Sequence, residues 1–234
     1  MADRFFTAGP LAPGEFVLTG PDAHHLASVR RFAPGDRVTL FNGDGREYPA
    51  EVLAADRKHV SLNVMAAVEV DRELGFELVV ASAVPKGDRA DYLVEKLTEL
   101  GTTRFVPLLT ARSVVVPKSV DKFERAVIEA SKQCGRNRLM RVGPPEKWDA
   151  FARRTDLPPA KLLLHTADAE PLPPLNRSGG VVFAVGPEGG FSLDEVAAGL
   201  AAGWRALSLG PRILRVETAA AAAVVWAQTY RCPS

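Results

Sequence analysis

Val181-Val-Phe-Ala-Val-Gly-Pro-Glu-Gly-Gly-Phe-Ser192 and Leu209-Gly-Pro-Arg-Ile-Leu-Arg-Val-Glu-Thr-Ala219 are the two stretches that decide the fold. Each carries a strand into a charged Gly/Pro loop, and each loop opens a helix. In open α/β sheets ligands sit beyond the carboxyl ends of strands, often against helix N-termini. Two such loops close together in the chain predict one composite pocket. Neither loop reads G-x-G-x-x-G, and neither a G-x-x-x-x-G-K-[ST] cradle nor a G-x-S-x-G elbow occurs anywhere. Dinucleotide, P-loop and serine-hydrolase readings are therefore set aside. The ligand should need close backbone contact and a snug shape more than a polyphosphate grip.

Outward from these loops, the pattern from Phe76 onward alternates strands with helices, which implies βαβ units and a mostly parallel sheet. Strands are expected at Phe76–Val84, Arg104–Leu109, Lys161–His165, Val181–Val185 and Trp204–Leu209. Asp88 and Ser119 are candidate helix caps, and Ser192-Leu-Asp-Glu195 reads as a capping box. The last helix is expected from Glu217 to Tyr230. Upstream, the chain reads as mainly β. Asn42-Gly-Asp-Gly45 separates two strand-like runs as a hairpin turn, and Lys58–Val64 alternates as a third strand. A short helix is expected over Pro21–Arg31, with proline in its first turn. The division is thus a small barrel-like domain over 1–70 and an α/β domain over 74–234, joined by the charged stretch Glu69–Gly75.

At 234 residues with a net charge of +1 and 47% hydrophobic residues, the composition is that of a soluble globular protein with room for two cores. No apolar run approaches the ~18 residues that span a bilayer, and the first residues lack the apolar core of a secretory signal. Cys134 and Cys232 form neither a disulfide framework nor a metal spacing, and His24, His25, His59 and His165 lack ligand spacing with one another. A cytoplasmic enzyme without a metal or a membrane partner is expected. Charge is distributed unevenly. Lys132, Arg136, Arg138 and Arg141 cluster without an acid between them, Arg30, Arg31 and Arg37 form a second group, and Arg212 and Arg215 sit in the second glycine loop. Local basic patches on a near-neutral chain suit a reversibly bound polyanion, or else are solvated faces.

Lys132-Gln-Cys-Gly-Arg-Asn-Arg138, Gly186-Pro-Glu-Gly-Gly190 and Leu209–Ala219, in this order, resemble the RsmE family of SPOUT-class RNA methyltransferases. The resemblance covers essentially the whole chain. It implies a PUA-like RNA-binding barrel followed by a SPOUT α/β domain with a C-terminal trefoil knot, and a homodimer. Topology rules exclude knots by default, so that element rests on the resemblance. The activity it implies is methylation of uridine N3 in small-subunit (16S) ribosomal RNA, free or within the assembled subunit, with S-adenosylmethionine as donor. The same fold acting on tRNA, and a non-catalytic RNA-binding assembly protein, are the competing readings.

The residues agree with that donor, which carries no phosphate. Gly186, Gly189 and Gly190 let backbone approach a ligand closely, and Pro187 and Glu188 belong to the same binding loop. Leu209, Gly210, Ile213 and Leu214 offer apolar walls and amides for an adenine edge, and Leu164 and His165 end a neighbouring strand. Uridine N3 must lose a proton, and the resulting anion needs stabilising. Arg215 and Arg212 supply the positive field, as fork-shaped donors to uracil carbonyls or a flanking phosphate. Glu217 is the candidate base or arginine orienter, although an acid in the first turn of a helix also suits the helix dipole. For RNA, Lys132, Arg136, Arg138 and Arg141 are expected on phosphates, Asn137 on a base edge, and His25, Arg30 and Arg31 on the N-terminal domain's RNA face.

Overall fold

The computed structural model describes residues 3–20, 23, 32–56, 59–165 and 179–229. The chain forms two units: Met1–Glu73 with Ser131–Leu139, and Leu74–Ala130 with Met140–Ser234.

The first unit is built on β1 (Arg4–Phe6), β2 (Gly14–Thr19), β3 (Arg37–Phe41), β4 (Arg46–Ala55), β5 (His59–Val64) and β6 (Val68–Glu69). Their sheet order is β1-β3-β4-β5-β2, with β6 on β4, and only the β1–β3 ladder is parallel. Alternation decides which side faces inward. Val60, Leu62 and Val64 of β5 are buried and join Leu18, Val38, Leu40 and Val52 in one core. The β3–β4 hairpin turns through Gly43 (φ 91°) and Gly45 (φ 98°), a region glycine reaches without strain. Asp44 fixes the turn, accepting from the Arg46 amide at 2.9 Å and from the Tyr48 hydroxyl at 2.6 Å. The expected helix over Pro21–Arg31, with His25, Arg30 and Arg31, falls almost wholly outside the described residues.

The second unit holds a seven-stranded sheet of β7 (Leu78–Ser82), β8 (Arg104–Leu109), β9 (Arg141–Val142), β10 (Glu146–Lys147), β11 (Ala160–Leu164), β12 (Val181–Val185) and β13 (Arg205–Leu207). Its order is β10-β8-β7-β12-β11-β13 with β9 on β8, and every ladder is parallel. Every residue of β7 and β12 is buried, because a parallel sheet is covered on both faces and its central strands read as unbroken apolar runs. The helices are α1 (Asp88–Glu99), α2 (Asp121–Cys134), α3 (Trp148–Ala152), α4 (Leu193–Ala201) and α5 (Val216–Thr229).

One face carries α3 and α4 on an aromatic cluster. The Trp148 ring lies 5.0 Å from Phe191 and 5.1 Å from Trp204, centroid to centroid. Both indole N–H groups are satisfied, Trp148 donating to the Glu195 carbonyl at 2.8 Å and Trp204 to that of Ala152 at 3.0 Å. Elsewhere α5 packs on α1, β7 and β12. Ala220, Ala223, Val224 and Ala227 of α5 are fully buried within the single chain, so its small residues serve close packing inside the unit.

Two local expectations change. The cap of α1 is Gly87 (φ 64°) with no side-chain cap bond, and Asp88 is instead the first helical residue, where its charge suits the helix dipole. The stretch Glu69–Gly75 is not a plain linker. Arg72 bonds Glu47 at 2.7 Å and the Gly135 carbonyl at 2.9 Å, and Glu73 pairs with Arg136 at 2.6 Å. These contacts explain why the unit boundary falls between Glu73 and Leu74, and why Ser131–Leu139, inside the span 74–234, groups by its contacts with the first unit.

Candidate active site

In the second unit's sheet β11 lies between β12 and β13, all parallel, and its Leu164 is in register with both Val185 and Leu207. Three strands therefore end at one level, and the segments leaving them converge. The Gly186–Gly190 loop continues β12, the Leu209–Leu214 loop continues β13, and His165 extends β11 by donating its amide to the Leu207 carbonyl at 3.0 Å. Between these segments is a cavity of about 280 Å³. Its size is near the lower end of the ~300–1,000 Å³ usual for small-molecule sites.

Leu164, His165, Gly186, Pro187, Glu188, Gly189, Gly190, Leu209, Gly210, Ile213 and Leu214 all line this cavity, and so does Arg212. Val185, Phe191, Leu207, Val216 and Ala219 complete its apolar walls, and Arg112 adds a cation. Gly186 is required by packing: a Cβ there comes 2.9 Å from the Phe191 ring and 3.1 Å from its amide nitrogen. Gly190 is required by conformation (φ 68°), and a Cβ on it meets no protein atom within 4 Å. The loop ends in the expected capping box. The Glu195 amide donates to Ser192 Oγ at 3.2 Å, and the Ser192 amide to Glu195 Oε2 at 2.8 Å. Glu188 bridges to Arg89 at 3.2 Å, with both side chains well exposed, so this pair contributes little stability.

The proposed catalytic group separates. Arg212 is exposed on the cavity wall. Arg215 is exposed but is not a wall residue. Glu217 is 6% exposed, off the wall, with Oε2 lacking a partner among the described residues. Glu217, expected as base or arginine orienter, is therefore not among the residues lining the cavity. Its helix neighbours Val216 and Ala219 line the cavity instead.

The basic segment is also corrected. Arg136 and Asn137 are each 3% exposed. Arg136 donates to Glu73 through Nε at 3.1 Å and Nη2 at 2.6 Å, while Asn137 donates to the Val70 carbonyl at 3.2 Å and accepts from Arg4 at 2.6 Å. Their polar atoms clasp the segment to the first unit and are not presented to phosphate or base. Lys132 is half-buried, and Arg138 is exposed. Glu47 completes the clasp. Partial burial alone raises its pKa, but hydrogen bonds from Arg72 and Arg4 outweigh that and leave the carboxyl below its usual value. Arg136→Ala is expected to destabilise the protein by about 3 kcal/mol, since it strands Glu73 without its partner. The salt dependence of RNA binding should stay unaltered, whereas loss of a true phosphate contact lowers the slope by about 0.7–0.9. Chemical denaturation alongside a salt titration of RNA binding reads both.

Arg112 is the residue that sequence reasoning missed. It lies beyond the end of β8, two strands away from β12, and donates through Nη1 to the Gly189 carbonyl at 2.5 Å. The capping box holds its loop, because Glu195 Oε1 accepts from the Ala111 amide at 2.7 Å. A lone arginine in Thr110-Ala-Arg-Ser113 has no motif, and the cross-sheet contact that recruits it is absent from local sequence.

Residues 72–228 match the RNA methyltransferase domain family, and residues 18–65 match the RNA methyltransferase PUA domain. Ribosomal RNA small subunit methyltransferase E of Synechocystis is 32% identical over 87% of this chain and 69% of its own length, and that of Bacillus subtilis 30% over 87% and 86%. The chain belongs to this methyltransferase E family. A family member from Neisseria gonorrhoeae, solved bound to S-adenosyl methionine, superposes with a TM-score of 0.92 at 29% identity, covering 99% of this chain and 98% of that one. Membership agrees with the resemblance carried by the three motifs and with a PUA-like unit preceding a parallel α/β unit.

Proposed function

We propose that the protein transfers a methyl group from S-adenosylmethionine to N3 of a uridine in small-subunit (16S) ribosomal RNA. The observation that carries this reading is the cavity at the aligned ends of β11, β12 and β13, walled by a glycine loop and an apolar loop and lacking a phosphate cradle. Its residues fit the donor. Leu207, Leu209, Ile213 and Leu214 form an apolar slot for an adenine, and at Gly190 a side chain is absent where no protein atom fills the space. The Neisseria relative's bound S-adenosyl methionine supports the same assignment.

When bound, the donor supplies an electrophilic methyl, so the chain's own task is alignment and charge stabilisation. Uracil N3 first gives up its proton to solvent, negative charge spreads onto the flanking carbonyls, and the N–C bond then forms as the methyl's bond to the donor sulfur breaks. Arg212, a cation on the cavity wall, stabilises that charge. Arg215, exposed beside it in the chain, serves the flanking RNA backbone. Glu217, buried at the start of α5 and close in the chain to both arginines, is the remaining candidate for orienting them. Lys132 and Arg138, with His25, Arg30 and Arg31 of the first unit, remain the cations and polar groups offered to RNA.

The family resemblance further supports a trefoil knot in the second unit, a homodimer and action in the cytoplasm. Leu193 is 83% and Leu200 51% exposed on α4, apolar area that a second copy can cover. The test is transfer of labelled methyl from S-adenosylmethionine to small ribosomal subunits lacking their native modifications, with the product nucleoside identified by mass and retention. N3-methyluridine is expected. Another methylated nucleoside, or transfer to tRNA alone, moves the substrate; no transfer by folded protein to subunits, naked rRNA or tRNA favours a binding protein.

A further inference from the structure

The cavity has two chemically unlike ends. Around the second loop the walls are Leu207, Leu209, Ile213 and Leu214, while the first loop brings together a guanidinium and a carboxylate, Arg112 on the Gly189 carbonyl and the adjacent Glu188. S-adenosylmethionine is unlike at its two ends in the same sense, with a neutral adenine at one and a zwitterionic amino-acid arm at the other. We propose that Arg112 binds the carboxylate of that arm. The inference rests on the donor reading above and assigns a residue to the end of the donor that the glycine loops alone do not explain.

Three observations carry it. Arg112 is on the cavity wall, yet among the described residues its one protein hydrogen bond is to the Gly189 carbonyl, at 2.5 Å. A guanidinium offers five N–H groups in a planar fork suited to a carboxylate, so most of its donor capacity faces outward from that bond. Next, the loop holding it is braced on both sides. The Ala111 amide donates to Glu195 Oε1 at 2.7 Å, and the Thr110 amide to Ser113 Oγ at 2.9 Å. The arginine is thus supported by the same glutamate that caps the helix beneath the glycine loop. Lastly, the remaining ionisable wall residues are less suited. Glu188, already paired with Arg89, repels a carboxylate, His165 ends the middle strand, and Arg212 lies on the apolar loop, where the acceptor's charge develops. Gly189 belongs to the same device, because a Cβ there comes 3.2 Å from Arg112 Cδ, tighter than an ordinary contact.

The test is calorimetric binding of S-adenosylhomocysteine and of 5′-methylthioadenosine, which keeps the adenosine and thioether but lacks the amino-acid arm. Wild type, Arg112→Ala and Arg112→Lys are compared. The Ala variant should bind S-adenosylhomocysteine about tenfold more weakly, as expected for loss of one partly solvated charge-assisted contact. Its affinity for methylthioadenosine should change less than about twofold, which also shows that the pocket remains folded. The Lys variant should fall between, keeping the charge and losing the fork. An equal loss for both ligands overturns the proposal and makes Arg112 a loop support only. Unchanged S-adenosylhomocysteine affinity with impaired methyl transfer also overturns it and assigns the arginine to RNA. Folded wild type that binds neither ligand contradicts the donor reading itself.

Discussion

Arg212→Ala should lower single-turnover methyl transfer about a hundredfold, the scale set by removing one preorganised donor aimed at developing charge. Affinity for S-adenosylhomocysteine should change by less than about threefold, because an interaction made only as charge develops leaves ground-state binding in place. Position is the reason for the asymmetry. Arg212 is exposed on the cavity wall between the apolar residues Leu209 and Ile213, where it adds little to an adenine slot but projects a cation to the site's opening. Arg212→Lys should recover part of the rate, since the charge persists while bidentate contact with a uracil carbonyl or phosphate is lost. A matched loss in rate and in donor affinity would place the guanidinium on the donor and leave charge stabilisation to Arg215.

The second large effect is structural. Trp148→Ala should destabilise the protein by about 3–5 kcal/mol, the range for truncating a buried large aromatic. Trp148 is 1% exposed and touches Phe191 and Trp204. Helix α4 rests directly on its indole, for a Cβ at Gly199 comes 2.8 Å from Trp148 Cζ2. Phe191 in turn leaves no space for a side chain at Gly186. The substitution therefore removes the floor under the first glycine loop, and donor affinity should fall as well as stability. Urea denaturation with calorimetric donor binding reads both. Lower stability with unaltered donor affinity would show that the loop is held by the Ser192–Glu195 box alone. Trp148→Phe should cost less, losing chiefly the bond to the Glu195 carbonyl.

Legibility in the chain divides along a physical line between local and long-range contacts. Val181–Val185 reads as a buried strand because its neighbours and covering layers demand an unbroken apolar run. The Ser192–Glu195 box reads correctly because its donors and acceptors are three residues apart. Both glycine loops could be found for the same reason: the strand before each and the helix after it are local. Long-range pairing is where the reading fails. Arg136 looks the same in sequence whether it faces RNA or Glu73, and its partner is 63 residues away. Asn137 meets Arg4 across 133 residues. Arg112 joins the site only because β8 and β12 flank β7 in the sheet. Glu217 has the right chemistry for a base, but the start of α5 carries its side chain off the cavity wall, a matter of helical phase that the motif does not encode.

The clasp made by Ser131–Leu139 has a consequence for how the protein is made. Arg136, Asn137 and Gly135 supply partners to Glu73, Arg4 and Arg72, so the amino-terminal unit lacks part of its own structure when only its first 73 residues have been synthesised. Chains usually fold domain by domain as they leave the ribosome. Here completion of the first unit waits until translation has passed Leu139, after β7, α1, β8 and α2 have emerged. A gene fragment cut at the apparent linker would encode an unfinished unit, and dissecting the protein requires carrying the clasp along, as a circular permutation or a grafted peptide.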